Sequence, residues 1–265
     1  KMKKNIFSKF KKDGYVIIPN FISKKKINKI FRELHQVINV CLESSKLNKH
    51  KKLKDIDKKY TLLLSKNPSL KSHFYDMIKF TEEVNKLMVS NKFLNISKKL
   101  LNEKNVFMNN RQIRIDHKKD SYYLPQHQEL GQLSTNLVTF WIPLVDLKDN
   151  IGGLYLRPKT HKLRFLPYKN YNSEARQAVI ERKEIIEKLF NKPHLRKFKN
   201  IYPKLNSGDA VIFHNYLFHG TMPNINNKKL RWVFITRYNS IKKTPYLKNK
   251  NAKMMIPYTA DYSKL

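Results

Sequence analysis

Residues 124–129 read Leu-Pro-Gln-His-Gln-Glu, and the rest of the chain is best understood by working outward from them. Successive side chains of an extended strand point to opposite faces, so His127 and Glu129, two apart, project together. An imidazole and a carboxylate on one face supply two ligands of a 2-His-1-carboxylate facial triad, the arrangement that holds non-haem Fe(II) and leaves positions open. A third ligand has to come from elsewhere. His219 follows the strand-like segment Ala210-Val211-Ile212-Phe213 and precedes Gly220-Thr221, a place that suits a loop folding back over the same cavity. Taken singly these signals have ordinary explanations, because an H-x-E triplet arises by chance and most lone histidines are packed or solvated. Arg231 ties them together. It opens the apolar segment Trp232-Val233-Phe234-Ile235, where a guanidinium fork matches the distal carboxylate of 2-oxoglutarate better than a lysine does.

The surrounding segments have the texture of strands. Val106 to Ile115, Leu137 to Val145, Leu154 to Leu156, Ala210 to Phe213 and Trp232 to Tyr238 are rich in β-branched and aromatic residues and bounded by Gly, Pro, Asn and Asp. Upstream, Tyr15 to Pro19 reads as a short strand, and Ser23 precedes a helical pattern through Ile27, Ile30, Phe31, Leu34 and Val37. From about Asp55 to Asn102 the apolar spacing is again helical, with a break near Asn67-Pro68. Ser173 to Leu189 reads as a helix inserted in the β region, beside the barrel mouth. The expected organisation is a single domain over residues 1–265, with a helical layer at about 20–102 and a β core at about 105–240.

The chain carries 55 Lys plus Arg against 20 Asp plus Glu, a formal charge of +35, which invites a polyanion-binding reading. A codon-level explanation competes with it. Asn, Ile, Tyr and Phe, all encoded by A/T-rich codons, are also abundant, and the charges are spread along the chain rather than gathered in one arm or face. Nucleic acid is therefore not the expected partner; the field serves instead to draw small anions. No run of 18 apolar residues is present, so no membrane span is expected. The one cysteine, Cys41, forms no internal disulfide, consistent with a reducing compartment, and the expected location is cytoplasmic.

The sequence resembles the phytanoyl-CoA dioxygenase family of Fe(II)/2-oxoglutarate oxygenases. The matching segments are Phe10 to Val16, His127-Gln128-Glu129, Trp141 to Leu144, Gly152-Gly153-Leu154, Pro158 to His161, Gly208-Asp209, His219-Gly220-Thr221, Asn224 and Arg231. That resemblance implies an α+β fold, a double-stranded β-helix of the jelly-roll or cupin type with helices outside. It also implies Fe(II) held by His127, Glu129 and His219, 2-oxoglutarate as co-substrate, O2 as oxidant, and hydroxylation of a small molecule with release of succinate and CO2.

The family usually has Asp where this chain has Glu129, so the site is either an adjusted one or an impaired one. Thr221 matches a family Ser/Thr that helps hold the co-substrate carboxylate; a turn-forming role is the alternative. Gln112 and Arg114 share a strand face and resemble positions near substrate and co-substrate, with ordinary strand solvation as the alternative. His214 is an odd number of residues from His219, which makes it a poor third ligand, and His161 matches a loop histidine that does not bind iron. Arg114, Arg157 and Arg237 would favour an anionic substrate. The rival reading is a non-catalytic barrel that binds a polyanion or a ligand.

Overall fold

A computed structural model of the chain describes residues 2–46, 53–118, 126–129, 136–163 and 186–242. It opens with a helix absent from the sequence reading, α1 (Met2–Asp13). Gly14 ends it at a φ of 83°, where a Cβ would lie 2.4 Å from the His161 ring, so the turn needs glycine both for its backbone and for space. The strand β1 (Tyr15–Ile18) follows, and Ser23 caps α2 (Lys24–Ser44) by accepting a hydrogen bond from the Lys26 N–H. The helical stretch is four helices: α3 (Ile56–Lys66), α4 (Leu70–Ile78), α5 (Glu82–Met88) and α6 (Asn91–Leu101). The break between α3 and α4 falls at Asn67-Pro68, where the sequence places it.

The remaining strands are β2 (Val106–Asp116), β3 (Leu137–Pro143), β4 (Leu154–Leu156), β5 (Ala210–His214), β6 (His219–Thr221) and β7 (Arg231–Ser240). Five of the seven described strands form an antiparallel sheet in the order β1-β5-β3-β7-β2, and β4 pairs with β6 in a smaller one. Bridges from His127 to His219 and from Leu156 to Ile201 widen the small sheet on both sides. His219, expected on a loop, is thus the first residue of a strand, because its backbone pairs on both edges. Of the helix expected at Ser173 to Leu189, residues 173–185 lie outside the described residues, and 186–190 are helical.

Period-two alternation sorts the strand side chains into two cores. Val138, Phe140, Ile142, Ala210, Ile212, Trp232, Phe234 and Tyr238 face the helices and join Ile30, Leu34, Tyr60, Phe74 and Phe93 in the larger core. Trp141, Val211, Phe213, Val233 and Ile235 face the other way and meet Leu154 and Leu156 of the small sheet. The two sheets therefore enclose an interior, and the helices cover the outer face of the large one. This is the α+β double-stranded β-helix expected from the sequence. Every residue of β3 is buried because both its faces are covered, which explains why it reads as one apolar run.

No helix among the described residues is long and apolar enough to cross a membrane. The junction of helices and sheet centres on Phe93, whose ring lies 4.8 Å from that of Phe21 and 4.9 Å from that of Phe140. Replacing Phe93 by Ala removes this junction, and urea denaturation should show a loss of about 3–5 kcal/mol.

Candidate metal centre

The small sheet delivers the candidate ligands. His127 N–H donates to the His219 carbonyl at 2.8 Å and His219 N–H returns a bond of 3.1 Å, so the two imidazoles stand side by side with centroids 4.3 Å apart. Glu129 N–H bonds to the carbonyl of Asn215, in the turn after β5, outside the ladder, and Glu129 lies two residues on from His127, so its side chain falls on the same side. One ligand atom from each of His127, Glu129 and His219 lies within 4.8 Å of the others, and all three residues are buried. Nδ1 of His219 sits 2.9 Å from the Leu217 carbonyl. A carbonyl only accepts, so Nδ1 is the donor in this contact, which leaves Nε2 as the ring nitrogen that can bind a metal. That Nε2 is 3.6 Å from Oε1 of Glu129.

Burial pushes the Glu129 carboxyl up, but the positive charge of Arg237 together with His219 and His127 outweighs it and holds the group well below the usual carboxylate range. The carboxylate is therefore ionised and available as a ligand. Two imidazoles and one ionised carboxylate in a buried recess are the donor set that suits non-haem iron(II). Neither His214 nor His161 joins them. His214 accepts from the Tyr216 N–H, and His161 bonds the Lys11 carbonyl.

Arg231 is almost wholly buried at the start of β7, on the interior face. Its Nε donates to Oδ2 of Asp116 at 2.9 Å and its Nη1 to the Met222 carbonyl at 2.6 Å, with a longer bond to the Ile151 carbonyl. Nη2 is left without a hydrogen bond to a described residue. Burial lowers the pKa of Arg231 and Asp116 opposes that shift. Two devices bring the guanidinium here. Gly152, at a φ of 75°, leaves room that a Cβ would fill, 2.7 Å from Nη1. Asp57 of α3 accepts bonds from the Leu230 N–H and the Trp232 Nε1, the residues on either side of Arg231.

Thr221 is buried, and its hydroxyl has no hydrogen-bond partner among the described residues. Arg114 pairs through Nε with Oδ1 of Asp116 at 2.7 Å, so Asp116 serves two arginines. Gln112 stands on the same face of β2, beside Ile235 of β7. Arg237, read from sequence as a cation for an anionic substrate, instead donates from Nη2 to Oε1 of Glu129 at 2.7 Å. Asp116 was not singled out, although its spacing from Arg114 places both on one strand face.

Known proteins resemble the chain in family and in fold. A model of the family described as phytanoyl-CoA dioxygenase matches residues 10–232. No curated protein sequence matches the chain. Among solved structures, the epimerase SnoN in complex with Fe3+, alpha ketoglutarate and nogalamycin RO is 14% identical with a TM-score of 0.60, covering 97% of this chain and 96% of its own. AviO1 from Streptomyces viridochromogenes is 13% identical with a TM-score of 0.58, covering 91% and 96%. EctD from S. alaskensis with 2-oxoglutarate and 5-hydroxyectoine is 14% identical with a TM-score of 0.57, covering 89% and 75%. At these identities the likeness is one of fold, whereas the family match spans most of the sequence. The chain belongs to the phytanoyl-CoA dioxygenase family of iron(II)- and 2-oxoglutarate-dependent oxygenases.

Proposed function

We propose that the chain hydroxylates a small molecule, with His127, Glu129 and His219 as the iron ligands and Arg231 with Thr221 as the holders of the far carboxylate of 2-oxoglutarate. The observation that carries this reading is the convergence of the three donors in one buried recess. Iron(II) with 2-oxoglutarate and O2 supplies the oxidation: one oxygen atom ends in succinate as CO2 leaves, and the other in a C–H bond of the substrate. The chain's own groups position and shield. His219 is held in one tautomer by the Leu217 carbonyl, and the ionised Glu129 needs no proton transfer before it binds a cation. Arg231 offers Nη2, and the unpartnered Thr221 hydroxyl offers a second donor, to a carboxylate arriving between them. Gln112 and Arg114 belong to the same interior face, Gln112 as a contact for small molecules and Arg114 as a support of Asp116.

The sheet interior excludes water through Trp141, Phe213 and Ile235, which favours oxidation of a bound substrate over unproductive side reactions. The +35 net charge supports an anionic group on the substrate. Arg114 and Arg237 add little to that, since each is paired with a carboxylate. A single domain over residues 1–265 is part of this reading, supported by the helices that share a core with the sheet. A cytoplasmic site of action goes with the unpaired, buried Cys41.

Two measurements follow. In the absence of air, Fe(II) and 2-oxoglutarate added to the wild type should give the visible charge-transfer band of keto-acid chelation; Glu129→Ala and Arg231→Ala should lose or weaken it. A folded wild type without the band contradicts the proposal and returns the ligand-binding barrel as the better reading. Asp116→Ala leaves two arginines unpaired in the interior, and urea denaturation should show a loss of about 3–5 kcal/mol.

A further inference from the structure

Arg237 lies on the same face of β7 as Arg231, and its side chain is 12% exposed against 8% for Glu129. Among the described residues, Oε1 of Glu129 is the one acceptor that its guanidinium has, at 2.7 Å. Its Nε is buried without a partner, as is the hydroxyl of Thr139, which stands opposite in the register of β3 and β7. Arg231, by comparison, bonds Asp116 and two carbonyls, which engages its Nε and Nη1 and leaves Nη2 for a ligand. Arg237 instead bears the cost of burial for a single contact with one oxygen of a candidate metal ligand. Oε2 of the same carboxylate has no hydrogen bond to a described residue.

That asymmetry bears on the extra methylene of Glu129. A glutamate arm is long and mobile enough to turn both carboxylate oxygens toward one ion. Two imidazoles, a carboxylate bound through both oxygens and a chelating keto acid together fill an octahedral ion, whereas a carboxylate bound through one oxygen leaves a position open. We infer that Arg237 is a positioning residue that fixes Oε1 of Glu129, the oxygen 3.6 Å from Nε2 of His219, and so restricts the carboxylate to one-oxygen ligation, so that a position is kept for dioxygen. This rests on the proposed iron and 2-oxoglutarate reading. Arg114 and Arg231 cannot substitute for it, since both are committed to Asp116.

The test uses nitric oxide as a stand-in for dioxygen. Fe(II) and 2-oxoglutarate are added without air to the wild type, Arg237→Lys and Arg237→Met, and nitric oxide is titrated in. The visible charge-transfer band reports keto-acid chelation, and the electron paramagnetic resonance signal of the nitrosyl reports the open position. The band should persist in all three proteins. Nitric oxide affinity should match the wild type in the lysine variant, which keeps a donor, and fall about tenfold in the methionine variant. Equal affinity in the wild type and Arg237→Met overturns the inference. Loss of the band in Arg237→Met also overturns it, since Arg237 would then support the whole site rather than one oxygen. Absence of the band in the wild type contradicts the proposed function itself, which separates the two failures. Should Arg237→Met fold poorly, Arg237→Leu takes its place, and Glu129→Asp is then added to the single variant that folds. The shorter arm should restore nitric oxide binding to wild-type level, and a persistent deficit overturns the inference.

Discussion

Two backbone hydrogen bonds between His127 and His219, one in each direction, set the position of everything in the candidate centre. They join residues far apart in the chain and leave no freedom of register, because a slip of one residue would put the two imidazoles on opposite faces. With that register fixed, a bond from the Glu129 N–H to the carbonyl of Asn215, in the turn after β5, brings the carboxylate to the imidazoles. The metal-binding potential of the chain is thus a property of a short sheet, which is a stiffer support than the loop the sequence suggested.

The large sheet contributes charge rather than ligands. Its interior face carries Arg231 and Arg237 on β7 and Arg114 and Asp116 on β2, and these sort into two groups. Around Asp116, two arginines share one carboxylate while backbone carbonyls take further donors of Arg231. Around Glu129, one arginine faces one carboxylate beside two imidazoles. Buried ions are costly unless paired and hydrogen-bonded, so each pairing constrains where its partner can lie. The helical layer takes part in this: through Asp57 it grips the residues flanking Arg231, so the packing of α3 on the sheet also aims the guanidinium.

Most of the architecture was legible in the chain because the signals are local and periodic. The apolar run of β3, the capping serine before α2 and the break at Asn67-Pro68 all sit where pattern reading places them. The first helix was missed because its residues are mainly Lys-rich and its apolar positions few, which weakens the periodic signal. His127 and Glu129 were legible as a pair from their spacing, and His219 from its place after a strand. What spacing could not supply was partner choice. Nothing local indicates that Asp116 serves Arg231, or that Arg237 serves Glu129, since those contacts arise from cross-strand register and from the meeting of two sheets. The strand at His219 gives no local signal for the same reason: three residues are too short to announce themselves, and only pairing with His127 and β4 defines them.

His127, Glu129 and His219 are proposed to form a metal centre, the two histidines held by a short sheet. Thermal unfolding of the wild type and of His219→Ala with and without Mn(II), a stand-in that resists oxidation, tests it most directly. Binding to the folded state alone stabilises by mass action, about 2.7 kcal/mol at a hundredfold excess over the dissociation constant. The account predicts a Mn(II)-dependent rise in the unfolding temperature of the wild type and none in the variant. An equal rise in both proteins, or none in the wild type, contradicts it.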